Sequence, residues 1–278
     1  MPRMLSYEDK GTVIHSLSGT TKFLFFFIWS VTGMVTYDTR ILAAMLVFSL
    51  IAFRISRVEF KDVSFVFKLI LVFLAINLLA IFFFSPEEGV KIYRHRTELA
   101  HLAGGYYLTA EQLFYEANVA LKYFTVIPVA LLFILATNPS EFASSLNRLG
   151  VSYKICYSIA ITLRYIPDMQ RDYTVVSQAQ QARGIDMSRK VSLLKRIRNA
   201  SGVLIPLFLS SMDKIDIISN ALELRGFGKK KRRTWYTARD FRLRDFWVLT
   251  ALMVFTALAF YITFRDGSRF YNPFVLSG

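Results

Sequence analysis

A single cysteine, Cys156, stands in 278 residues, which excludes an internal disulfide and any metal cage built on thiolates. Read by itself, Cys156 is a small buried residue. Three histidines, His15, His95 and His101, are too few and too scattered for the three or four converging ligands that zinc or cobalt would require. No Gly-x-x-x-x-Gly-Lys-Ser/Thr occurs, and Gly226-Phe227-Gly228-Lys229 lacks both the upstream glycine and the hydroxyl, so this chain does not itself cradle and hydrolyse ATP. Acidic residues are scarce, at 20 against 34 Lys and Arg. Asp168, Asp172 and Asp186 form no acidic repeat, and Glu87-Glu88 reads as a solvated turn after Pro86, so a metal-dependent membrane enzyme acting on lipids or prenyl chains is poorly supported. Residues Met1 to Lys10 show no apolar core of a signal peptide, and insertion is expected to rely on internal spans.

What the chain has in abundance is apolar surface and positive charge. Hydrophobic residues make up 54% and aromatics 15%, the mean hydropathy is +0.39, and the formal charge is +14. Apolarity at that level places the chain in a membrane, and the charge must then be segregated along it. Residues 138–245 hold 20 Lys and Arg against 9 Asp and Glu.

The fold expected is all-α, a polytopic helical membrane protein of about five transmembrane helices with a cytosolic helical coupling region between the fourth and the fifth. Phe65–Phe84, Leu121–Thr137 and Phe246–Phe264 approach the length a bilayer needs. Phe23–Tyr37 and Ile41–Phe53 are shorter, separated by Asp38, Thr39 and Arg40, and read as a tight helical hairpin. Residues 85–120 become an external connection whose amphipathic portion, Thr109–Ala120, feeds the fourth span. The organisation is thus 1–137, a membrane region of four spans; 138–245, the coupling region; and 246–278, the last span and an external tail. With the N-terminus in the cytoplasm the inner segments hold 26 of the 34 Lys and Arg and the outer ones six, the bias that short cytoplasmic loops carry.

Residues 138–245 contain no flexible linker. Asn138-Pro139-Ser140-Glu141 is a helix start, with an N-cap, proline at the first position and a carboxylate at the third. Phe142, Leu146 and Leu149 share one face, and Gly150 closes the element. A second helix is predicted from Tyr153 to Ala182, interrupted near Pro167, and a third from about Ala200 to Leu224, with Pro206 near its start. Both end in Arg-Gly, at Arg183-Gly184 and Arg225-Gly226. Glycine there can take the left-handed conformation that terminates a helix, and arginine complements the negative end of the helix dipole. The apolar stretches Ile155–Leu163 and Val203–Phe208 are either helix-on-helix core or a face for a membrane partner. Lys229-Lys230-Lys231-Arg232-Arg233, followed by Trp235 and Tyr236 shortly before the last span, reads as a membrane anchor and not as a nucleic-acid patch.

This layout resembles the transmembrane T component of energy-coupling factor transporters, the ABC-type importers of vitamins and transition-metal ions. The resemblance rests on Ala182-Arg183-Gly184 behind Gln178-Ala179-Gln180-Gln181, on Glu223-Leu224-Arg225-Gly226-Phe227-Gly228, and on Pro139-Ser140-Glu141 through Gly150. Leu163-Arg164-Tyr165-Ile166-Pro167, His15-Ser16-Leu17 and Thr21-Lys22 extend it. The chain departs from that family at Leu224, where alanine is common, and at Ser18-Gly19, where Asp-Pro is frequent. The resemblance implies a non-enzymatic coupling subunit in a bacterial or archaeal plasma membrane. Its partners would be two cytosolic ABC ATPase subunits, which use the ATP, and a separate substrate-binding membrane S component; no cofactor and no nucleic acid are implied. It further implies ATPase coupling through Ala182, Arg183, Gly184, Glu223, Leu224, Arg225 and Gly226, with the two arginine tips held side by side, and interface roles for Pro139, Arg164 and Pro167. The alternatives are an ordinary ABC transporter permease and a polytopic membrane enzyme.

Overall fold

A computed structural model describes residues 10–101, 107–185, 192–229, 234–236, 238–265 and 267–274. Asp186 and Lys230–Arg233, singled out above, lie outside the described residues. The chain forms two compact units, Met1–Glu141 with Arg239–Gly278, and Phe142–Ala238.

The first unit is helical. A short turn α1 (Val13–Ser16) leads into α2 (Gly19–Val35), α3 (Thr39–Ile55), α4 (Phe60–Phe84), α5 (Glu88–Tyr93), α6 (Ala110–Ala136) and α10 (Leu243–Phe264); a two-stranded hairpin, β1 (Glu98–His101) with β2 (Tyr107–Thr109), precedes α6. Val63–Phe84, α6 and α10 are long and apolar enough to cross a bilayer, and α2 is a shorter apolar helix. The protein is an all-α polytopic membrane protein.

Cross-links between helices fix their directions. Ser18 N–H donates to Asp245 Oδ1 at 2.8 Å at the start of α2 and α10, and Thr36 and Thr263 share a hydroxyl hydrogen bond of 2.7 Å at their far ends. These helices run parallel, with Trp29 stacked on Phe255 between the two pins. Lys22 meets the Ala136 carbonyl while Lys122 meets that of Met34, so α6 runs against α2. Thr39 bonds Asn118 and Thr125 bonds the Leu42 carbonyl, so α3 runs with α6. First and last apolar helices therefore point the same way, as an odd number of spans requires. Helix α4 is the outlier: it packs on α6 through Val63, Val66, Phe67 and Ile70 but leaves most of its length uncovered.

Two sequence expectations change here. The fourth apolar helix starts at Ala110, not Leu121: Thr109 caps it by accepting from Gln112 N–H at 3.3 Å, and the amphipathic portion is simply its first three turns. Its polar face is buried under a cap. Glu111 accepts from the Thr97 backbone and hydroxyl and pairs with His95, while Gln112 accepts from Gly89 N–H at 2.9 Å. A Cβ on Gly89 would sit 2.4 Å from the Glu111 carbonyl oxygen, so only glycine lets α5 approach the α6 backbone so closely. Tyr93 closes the cap against Phe114, Phe270 and Phe274, and burial pushes its hydroxyl up to about 12. Second, Ser18-Gly19 serves as a helix start: Ser18 accepts from Thr21 N–H and has β-region dihedrals, the work of an N-cap.

Lys22 is the most enclosed cation of this unit. Its ammonium donates to the Ala136 carbonyl at 2.8 Å, one of the last-turn carbonyls that α6 cannot bond internally, and to the His15 carbonyl at 3.3 Å, and lies 3.5 Å from Glu141 Oε2. Burial holds the Glu141 carboxyl above its usual range, while Lys22 and Arg239 pull it back down. Removing one partner of such a pair costs about 3–5 kcal/mol. Lys22→Met is therefore expected to lower the thermal unfolding temperature in detergent, and Lys22→Met with Glu141→Leu to recover part of the loss; an unchanged midpoint for the single variant would count against this pairing as a structural element.

Candidate coupling surface

The second unit is built on α7 (Pro139–Arg148), whose last seven residues lie in it, α8 (Tyr153–Ala182) and α9 (Leu193–Leu224). Asn138 caps α7 as expected, accepting from Ser140 N–H at 3.0 Å, and Ser152 caps α8. Pro139 occupies the first position of α7. A small core gathers Ala143, Cys156 and Ala160, with Leu146, Val151 and Trp235 against them. Cys156 is fully buried there, and burial pushes its thiol up. Trp235 packs against this core: its indole donates to Asn147 at 3.2 Å and its ring leans on Tyr153, a place that meets the needs of an aromatic with one polar atom. Tyr236 beside it is fully exposed.

Helix α8 has the expected bounds but not the expected interruption, and α9 is longer than expected. Helix α8 continues through Pro167 without a break, and α9 begins at Leu193, which puts Pro206 well inside it. A proline within a helix removes one backbone donor and crowds the carbonyl four residues earlier, a local cost that the length on either side carries the helix across. Arg164 and Pro167 are exposed on α8.

The two helices run antiparallel. Phe227, just past the end of α9, packs on Tyr157 and Tyr153 at the start of α8, with ring centroids 4.8 and 5.8 Å away. In the middle, Ser211 meets Met169 and Lys214 pairs with Asp172. At the other end Ile185, just past α8, lies over Gly202, where a Cβ would be 3.4 Å from its side chain.

Each long helix closes with the same device. At the end of α8, Gly184 N–H donates to the Gln181 carbonyl at 3.0 Å and Ile185 N–H to that of Gln180 at 3.1 Å. At the end of α9, Gly226 N–H donates to the Glu223 carbonyl at 2.8 Å and Phe227 N–H to that of Leu222 at 2.9 Å. These are Schellman caps, with glycine at φ +89° and +68°. Arg183 and Arg225 hold the same cap position with nearly identical dihedrals, φ −84°, ψ 8° and φ −79°, ψ 6°. Ala182, Arg183, Glu223, Leu224 and Arg225 are all exposed, Leu224 at 90%. Gly184 is exposed too, whereas Gly226 is half-buried.

The tips are not side by side. Antiparallel packing puts them at opposite ends of the pair, separated by about one helix length, ~45 Å for 30 residues at 1.5 Å each. Sequence spacing cannot reveal this, since a separation of 42 positions between the arginines fits either arrangement.

The apolar stretches divide by face. Cys156 and Ala160 are core while Ile155 is exposed; Val203 is buried while Leu204, Ile205 and Phe208 are exposed. The caps themselves depend on φ > 0. Gly184→Ala or Gly226→Ala should cost about 1 kcal/mol in cap stability, read as faster amide exchange at Ile185 or Phe227; unchanged protection would contradict the Schellman geometry.

Residues 10–236 match the family described as CbiQ, cobalt transport protein. The chain is similar to the energy-coupling factor transporter transmembrane protein EcfT of Bacillus selenitireducens, at 24% identity over 94% of this chain and 97% of that protein. Likeness to the protein of the same name from Streptococcus equi subsp. equi is 25%, over 82% of this chain and 90% of that one. With that of Lactococcus lactis subsp. cremoris identity reaches 30%, over 54% of this chain and 59% of the relative's length. Match to the family along most of its length, on an all-α membrane fold, makes this chain a member of the CbiQ cobalt transport protein family and a transmembrane T component of energy-coupling factor transporters.

Proposed function

We propose that this T component is driven through Arg183 and Arg225, each docking into one of two cytosolic ABC ATPase subunits, and that it passes their ATP-powered motion to a separate substrate-binding S component for uptake of a vitamin or a transition-metal ion. The observation that carries this reading is the pair of identically capped, exposed arginine tips at opposite ends of one antiparallel helix pair. Two tips a helix length apart suit two separate protein subunits better than a single groove. Arginine suits the task because its planar fork binds carboxylate bidentately and stays charged when desolvated. Ala182 and Gly184 beside the first tip permit close backbone approach. Leu224 beside the second adds an exposed apolar contact.

The side of α9 bearing Leu204, Ile205, Phe208 and Leu209, uncovered within its unit, is the surface we assign to the S component. The Lys and Arg bias supports a cytoplasmic position for the N-terminus and residues 138–245. The chain works without a cofactor of its own, and ATP is consumed by its partners.

Losing one partner of a desolvated interfacial charge pair costs about 2–5 kcal/mol, roughly 30- to several-thousand-fold in affinity. Arg183→Glu and Arg225→Glu should each weaken retention of ATPase subunits on the affinity-purified chain, and the double variant should abolish it together with ATP-driven transport. Full retention by the double variant would remove these arginines from the mechanism.

A further inference from the structure

Helix α9 turns its less apolar stripe toward α8. The α9 residues that meet α8 and its end are small or polar: Gly202 lies under Ile185, Ser211 meets Met169 and Lys214 meets Asp172. One step around the helix, Leu204, Ile205, Phe208, Leu209, Met212 and Ile215 form a continuous stripe of larger apolar side chains, every one exposed. Burial of apolar surface at about 25 cal/mol per Å² would select the second stripe, not the first. Something other than the hydrophobic effect must therefore choose the face.

The charged contact at the middle of the pair can do so. Lys214 donates to Asp172, and both side chains are about one-third exposed, at 38% and 32%, so the pair is neither fully solvated nor stranded. Along α8 it follows Pro167 and precedes Arg183, and along α9 it follows Pro206 and precedes Arg225, so in the antiparallel pair one arginine tip lies beyond it in each direction. A groove lined by Tyr165, Asp168, Ile217 and Ile218 runs beside it. The contacts at the two ends, aromatic at Phe227 and aliphatic at Ile185, are non-directional and tolerate sliding or rotation. An ion pair does not: rotating α9 by one residue, about 100°, would carry Lys214 away from Asp172 and bring Leu204, Phe208 and Ile215 inward. Buried polar contacts that fix register at some cost in stability are a known use of such pairs.

We propose that Asp172 and Lys214 are a positioning pair that sets the face and register of α9 against α8, and so holds the larger apolar stripe outward and fixes where Arg225 sits relative to Arg183. This rests on the proposed coupling role only for its consequence; the geometric claim stands apart from it.

The test places spin labels at Gln178→Cys and Asn220→Cys, both exposed, in the full chain in lipid nanodiscs, with the native Cys156 buried away from reagent. One dominant distance is expected for the parent. Lys214→Met and Asp172→Asn should each broaden or split it, and the charge swap Asp172→Lys with Lys214→Asp should restore a single peak. Reaction of Phe208→Cys with a maleimide gives a second reading that does not depend on the labels: it should slow by about tenfold in Lys214→Met, as expected when a stripe turns inward by about one residue's rotation, and recover in the swap. Unchanged distances and labelling rates in the single variants, or a swap that behaves like them, would overturn the proposal. ATPase retention is read in parallel on Arg183→Glu and Arg225→Glu with the same labels. ATPase retention lost at an unshifted distance separates the docking role from the positioning role, and a failure of docking leaves the distance measurement intact.

Discussion

Apolar helices satisfy their own backbone hydrogen bonds everywhere but at their ends, and in the first unit those ends are where the bundle is tied together. Ser18 and Asp245 share the start of α2 and α10; Thr36 and Thr263 share their finish. Lys22 takes a last-turn carbonyl of α6, Lys122 takes one of α2, and Asp38 caps α3 while holding Arg40. Between these pins the contacts are aromatic and aliphatic. Such contacts supply energy without selecting a direction. Polar pins supply the direction, because an unsatisfied group in hydrocarbon costs several kcal/mol and these pairs form only between particular helix ends.

The second unit uses the same chemistry to the opposite effect. Its long helices also end in satisfied carbonyls, but they are satisfied locally, by glycine-centred caps. A cap that is complete in itself leaves an arginine presented on a rigid end. The ordered core around Ala143, Cys156, Ala160 and Trp235 is small by comparison and sits toward one end of the helix pair. Leu204, Ile205, Phe208 and Leu209 of α9 are thus left exposed.

Much of this was legible in the chain. Apolar runs, the Lys and Arg bias, the Asn138-Pro139 start and both Arg-Gly ends are local signals, each governed by residues a few positions apart, and they fix helix class, membrane placement and the caps. The boundaries that failed did so for one reason. Thr109–Ala120 reads as a separate amphipathic piece because Glu111, Gln112 and Asn118 look like surface residues, yet a cap from α5, the β-hairpin and the tail buries them. Pro167 reads as an interruption, and α9 reads as starting shortly before Pro206, because propensity counts the local cost of proline but not the packing on either side.

What the sequence determined by itself is what short-range periodicity and capping can encode: an all-α chain for a membrane, with two arginine-tipped helices in a basic segment. Only the tertiary structure decided that α2 and α10 run parallel, that Trp235 belongs to a core, that α9 shows its richer apolar stripe outward, and that the tips stand a helix length apart. Those outcomes depend on pairings between residues 40 to 230 positions apart. Hydrophobic burial, which sequence periodicity reports, carries no information on direction or partner, so the choice falls to a few polar contacts visible only once the chain is folded.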